Sequence, residues 1–288
     1  MSAVGVDAAS PRRPGLPGGL LRDPRAAAGL AIVAAVALAA IAAPLLAPAD
    51  PDAPDFLALM APPSAAHLFG TDDLGRDVLS RVVFGARASV QVGLFSVAGA
   101  LAVGTLAGLV AGYAGRWTEA LIMRTMDVLF AFPSILLALV ISAVLGPSLP
   151  DAVLAIAVVN VPVFARIARA QTLLVRELDF VVAQRGFGYG PGTILLRTVL
   201  PNVMAPLVVQ ASLLFASAII TESYLSFLGL GVQPPTPTWG SMLREAIGFL
   251  DQAPWLAWFP GAAIFAAVLG FNLLGDGLRD RLDPRDAA

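Results

Sequence analysis

Charges are sparse along this chain and fall in clusters, so the uncharged runs between them stand out. Ala26–Ala47 is 22 residues without a charge. At the helical rise that is about 33 Å, enough to cross the ~30 Å hydrocarbon layer of a membrane. Further runs follow at Ala88–Gly115 (28 residues), Val128–Pro150, Ala152–Ala165 (14 residues), Val203–Thr221 and Trp255–Gly275. Together they predict an all-α membrane protein with six transmembrane helices. The fourth run is too short alone. It must borrow residues from both sides or sit inside a protein bundle. A basic stretch before an apolar run also describes a signal peptide, but signal cores are about 7–15 residues long. The first run is therefore read as a retained helix.

The polar segments give the organisation. Residues 1–25 are rich in Gly, Pro and Arg and predict a disordered N-terminus. Residues 26–47 are the first transmembrane helix. Residues 48–84 hold five prolines, six aspartates and His67, and predict a water-exposed loop. Residues 166–201 interrupt the membrane region, 222–254 form a Pro- and Trp-rich loop, and 277–288 form a charged tail. Arginine then sets the orientation. An even number of spans puts both termini on one side. That side, with its two loops, carries 14 of the 18 arginines: Arg12, Arg13, Arg22, Arg25, Arg116, Arg124, Arg166, Arg169, Arg176, Arg185, Arg197, Arg279, Arg281 and Arg285. By the positive-inside rule both termini are expected in the cytoplasm, and 48–84 is expected to be extracytoplasmic.

Composition narrows the chemistry. Hydrophobic residues make up 58% and charged residues 13%, against about 25% charged in a soluble domain. Every basic residue is arginine. A Walker-type phosphate loop needs a lysine, as does Schiff-base chemistry, so no ATP site of that kind is expected here. There is no cysteine and one histidine, which removes thiolate chemistry and His-cluster metal sites. The net charge of −2 argues against nucleic acid. No catalytic, cofactor-binding or metal-binding residue is expected, and the chain is not expected to be an enzyme.

Some residues carry more specific readings. Gly104, Gly108 and Gly112 share one helix face, where a second backbone can approach closely. That neighbour is either another subunit or the same chain. Glu222, at the outer end of the fifth span, either lines a pathway or sits at the interface. Arg124 and Asp127 are spaced for a local pair. Trp239, Trp255 and Trp258 read as interfacial anchors, and His67 as a structural or solvated loop residue. Gly186–Gly192 is not a dinucleotide loop, because Pro191 stands where its third glycine belongs.

Phe180–Pro201 is the most informative stretch. A short amphipathic piece (Leu178, Val181, Val182) meets Gly188, and a second helix starts at Ile194 and runs into Pro201. This predicts a cytoplasmic helix, a glycine turn and a return to the bilayer. Gly188, nine further residues, then Thr198, Val199, Leu200 and Pro201 resemble the cytoplasmic signature of ABC-importer permeases, EAA-x3-G-x9-I-x-LP. Val182 stands at its acidic position, Ala183 at the first alanine, Gln184 at the second and Thr198 at the isoleucine. Residues 69–89, 126–139, 226–243 and 271–284 are similar, in order, to segments of the dipeptide/oligopeptide/nickel permeases, C-type subunit.

The resemblance implies a type I ABC importer permease fold. It gives residues 85–276 as the permease domain, with five helices and the coupling loop 166–201. It implies a second homologous permease subunit, two ATP-binding cassette ATPase subunits that bind the ATP, and an extracytoplasmic solute-binding protein, all at a bacterial inner membrane. Val182, Ala183, Gln184, Arg185, Gly188, Leu200 and Pro201 would couple to the ATPase. The cargo would be di- or oligopeptides, with nickel or glutathione as alternatives. A rival reading from another class is an ion-coupled secondary transporter, which needs embedded acidic groups or broken helices.

Overall fold

The computed structural model describes residues 23–282, and their architecture is helical, with one isolated bridge between Thr71 and Asp77. Most of the expected disordered N-terminus lies outside the described residues. Its last residues are ordered: Asp23 caps the first helix, α1 (Pro24–Ile41), by accepting from the Arg25 amide at 3.0 Å, with Pro24 at the first helical position. A separate turn, α2 (Ala43–Leu46), follows, so the run 26–47 is two helices.

α3 (Val78–Ala114) is 37 residues long and begins inside the segment read as loop. Asp77 explains this: its carboxylate caps the helix by accepting from the Ser80 amide at 2.8 Å. Gly115, at φ 66°, ends it. α4 (Arg116–Phe130) and α5 (Ser134–Leu145) cover the third apolar run and meet at a bend of 90°. Pro133 stands between them and cannot continue the first helix. α6 (Leu149–Val175) is the short fourth run, grown to 27 residues at both ends as its length required.

After α6 come α7 (Asp179–Gly186), α8 (Pro191–Ile194), a π-helical turn (Leu195–Val199) and α9 (Leu200–Phe227). α10 (Trp239–Ala246) lies in the segment read as the second outer loop, and α11 (Trp255–Leu282) closes the described chain. Five helices are long and apolar enough to span a membrane, or six if the bent α4–α5 pair is one span. The largest pairing is α3 with α6, followed by α1 with α11. Both are glycine seams. A Cβ on Gly108 would lie 2.3 Å from the Ala165 carbonyl oxygen, and one on Gly29 would lie 2.6 Å from the Leu274 nitrogen.

Candidate functional site

α7 is held away from the bundle. Of its eight residues only Val181 is buried. Asp179 in its first turn and Arg185 in its last suit the helix dipole. Its C-terminus closes as a Schellman motif: the Tyr189 amide donates to the Gln184 carbonyl at 3.1 Å and the Gly188 amide to the Arg185 carbonyl at 3.0 Å. Gly188 takes φ 81°, in the left-handed region that favours glycine. No atom lies within 4 Å of where its Cβ would be, so the requirement is the backbone angle and not space. The expected short helix and glycine turn are both present. Phe180, Val182, Phe187 and Tyr189 are exposed and give α7 and its turn an apolar outer surface.

Three supports join α7 to the spans. Val181 enters the main core together with Val175, Ile194 and Val199. The Thr198 hydroxyl donates to Gln184 Oε1 at 2.8 Å. Arg185 donates to the Arg176 carbonyl at 3.2 Å and lies over the Tyr113 ring, 5.0 Å from its centre. Arg176 in turn donates to the Gly112 carbonyl at 2.7 Å, satisfying an end carbonyl of α3. Leu200 and Pro201 open α9. The π turn lies directly before them. Pro201 has no N–H for the Arg197 carbonyl, and the Leu200 amide bonds back to Leu195. The structure thus places Val182, Ala183, Gln184 and Arg185 on α7 and Gly188 in the turn that closes it, and joins this unit to the start of the fifth span.

Elsewhere the structure decides between open readings and corrects others. Gly104, Gly108 and Gly112 do form a packing seam, but with α6 of the same chain: their nearest neighbours are Val161, Phe164, Ala165, Ala168, Arg169 and Thr172. Glu222 neither lines an opening nor sits at an interface. The fifth span continues to Phe227, and Glu222 has no exposed surface, accepting from Ser226 at 2.7 Å and Ser89 at 3.2 Å. Asp127 pairs with Arg166 at 2.8 Å across to α6 and not with Arg124. Trp239 is buried, its indole donating to the Val82 carbonyl at 2.9 Å. Trp258 stays exposed. His67 is structural, with Nδ1 at 3.0 Å from Asp77.

A buried charge cluster escaped the sequence reading. Arg76 meets Asp72 at 2.7 Å and Glu245 at 3.2 Å, and Arg81 meets Glu245 at 3.0 Å and Asp72 at 3.5 Å. Phe69 stacks on Phe259 at 3.8 Å. The second half of the loop 48–84 is therefore packed onto α10 and α11 and is not simply solvated. The density of charge in residues 72–81 was visible, but its partner Glu245 lies far along the chain. Among the described residues no group of three or more His, Cys, Asp or Glu side chains is placed to hold a metal.

Apolar helices of spanning length, a bent helix pair and a short helix carried outside the bundle define a polytopic helical membrane protein. Residues 104–286 match the family described as binding-protein-dependent transport system inner membrane component, and residues 19–63 match the N-terminal TM domain of oligopeptide transport permease C. The dipeptide transport system permease protein of Alkalihalophilus pseudofirmus is 50% identical over 266 residues, covering 92% of this chain and 88% of the relative. The di/tripeptide transport system permease protein of Pseudomonas aeruginosa is 47% identical, covering 89% of this chain and 87% of the relative. The glutathione transport system permease protein of Pectobacterium atrosepticum is 46% identical, covering 90% and 86%. The chain belongs to the binding-protein-dependent ABC-importer permeases, as a multi-pass component of the bacterial inner membrane. Its partners are by class an ATPase and a solute-binding protein. The ion-coupled carrier is set aside.

Proposed function

We propose that this chain is one half of the membrane pathway of an ATP-driven importer of di- or oligopeptides. It pairs with a second, homologous permease, and two ATPase subunits act from the cytoplasm. α7 and its Gly188 turn are the coupling element. Both termini and α7 lie in the cytoplasm, and 48–84 lies outside. The permease domain takes in 85–276. The chain holds no cofactor and no catalytic residue, and ATP is bound by its partners.

One observation carries the reading: an eight-residue helix with a single buried side chain, hung from the spans and bearing exposed Phe180, Val182 and Phe187. A solvated connecting loop has no use for an apolar outer face, whereas a groove in a partner does. Val182 stands at the signature's acidic position, so docking rests on apolar contact and is expected to tolerate salt. The relatives named for dipeptides and di/tripeptides support the cargo, and the one named for glutathione supports that cargo as the second reading.

The test is uptake by proteoliposomes carrying the full complex with its binding protein. Labelled dipeptide should accumulate with ATP, and excess glutathione or nickel should not compete. Competition by either would reassign the cargo. Crosslinks from positions 180–188 should reach an ATPase subunit, and their absence would remove α7 from that role.

A further inference from the structure

The Thr198–Gln184 bond stands out within α7's attachment. Val181 rests in an apolar socket, a contact without direction. Arg185 ties α7 back to the end of α6 and the end of α3. Among the described residues only the Thr198–Gln184 bond joins α7 to the fifth span by a directional contact, at 2.8 Å and partly shielded from water. Its two members are the two positions where the ABC-permease signature has alanine and isoleucine, neither of which can make a side-chain hydrogen bond. The two departures meet each other.

Thr198 also sits in the π turn Leu195–Val199, the one described wide turn in the bundle, immediately before Pro201. Its own carbonyl accepts from the Asn202 side chain at 2.6 Å, so the residue is held on both sides of the turn. A π turn contains one residue more than an α turn and is a place where a helix changes register locally.

We propose that Gln184 and Thr198 form a positioning pair that carries displacement of α7 into the fifth span through the π turn. This rests on reading α7 as the coupling element. A pull on α7 moves Gln184, and the bond moves Thr198 and with it the wide turn at the foot of α9. Val181 alone would let α7 slide or rotate without turning the span. The pair touches no cargo and no nucleotide. It sets how much of each ATPase cycle becomes movement of the helices.

The experiment is a double-mutant cycle in the full reconstituted complex, reading the number of peptides imported per ATP hydrolysed. Gln184→Met and Thr198→Val each remove the bond with little change in side-chain size. Each should lower the ratio roughly two- to tenfold, the range that one net hydrogen bond supports, while the ATPase rate persists. The double variant should be no worse than either single one, because the bond is lost only once. Gln184→Glu and Thr198→Ser keep acceptor and donor, should restore the ratio, and serve where the first variants fail to assemble. Unchanged ratios, or additive losses, would overturn the pair. The crosslinks from positions 180–188 separate the two failures. If they reach the ATPase while the ratios stay flat, the pair alone is wrong; if they do not, the coupling role of α7 falls and the pair with it.

Discussion

Gly188 shows how much a single residue decides here. Its φ of 81° closes the Schellman end of α7, and the space around it is empty. A β-branched side chain in the left-handed region strains the backbone whatever the room. Gly188→Val is expected to abolish transport while membrane levels of the chain stay near normal, as immunoblots of membrane fractions would check. Normal transport would show that the turn is dispensable. Glu222 is the opposite case, a residue whose importance is internal. Glu222→Ala leaves the Ser226 and Ser89 hydroxyls without their acceptor inside the bundle. A loss of about 1–3 kcal/mol per group left unpaired is expected, read as a lower melting temperature of the purified complex. An unchanged melting temperature would mean the two serines find other partners.

At the scale of elements, the seams and the outer charge cluster hold the helices in place. Gly108 faces backbone, since the Ala165 carbonyl is 2.3 Å from where a Cβ would lie. Gly108→Val must therefore push α3 from α6, the largest helix pair. The expected result is a chain that is degraded in cells or melts well below the parent, and wild-type abundance and melting together would refute the seam. Arg81 ties α3 to α10, with a side chain only 2% exposed between Asp72 and Glu245. Removing Arg81 leaves the nearly buried Asp72 with half of its positive charge, although Arg76 still pairs with it and with the part-exposed Glu245. Arg81→Ala should thus destabilise more than Arg166→Ala, whose ion pair with Asp127 is half exposed. Thermal melts of the two variants side by side would decide it. The glycine spacing was legible in the sequence, since a four-residue repeat names a helix face. Its partner was not, because nothing in the repeat says which helix approaches. The span lengths were legible for the same reason as the runs, whereas the break at Pro133 was absorbed into an uncharged stretch that looked continuous.

For the whole molecule the orientation in the membrane is the property to measure. The chain has no cysteine, so introduced ones report cleanly. Leu57 is 99% exposed and Phe187 81% exposed. Leu57→Cys is expected to react with an impermeant maleimide on intact spheroplasts, and Phe187→Cys only after lysis. The reverse pattern would invert the topology. Lysine's absence makes a second whole-chain expectation: the purified chain should show no ATPase activity above background. Activity that co-purifies with it through every step would overturn that.

By itself the sequence determined the solvent this protein lives in, because its 13% of charged residues cannot cover a water-facing surface. It also determined the number of apolar runs and the short helix with its glycine turn, since charge gaps, glycine and proline act locally on the backbone. Tertiary structure alone decided which residues meet. Glu222 was a span-end acid until α3 and α9 closed around it, and Trp239 an interfacial ring until Val82 offered its carbonyl. Arg76 and Arg81 looked like solvated loop charge until Glu245, more than 160 residues away, came to them. Gln184 and Thr198 read as two unrelated departures from a pattern until the fold set them 2.8 Å apart. Local propensity depends on a residue and its near neighbours in the chain, whereas burial and pairing depend on which distant segment packs opposite.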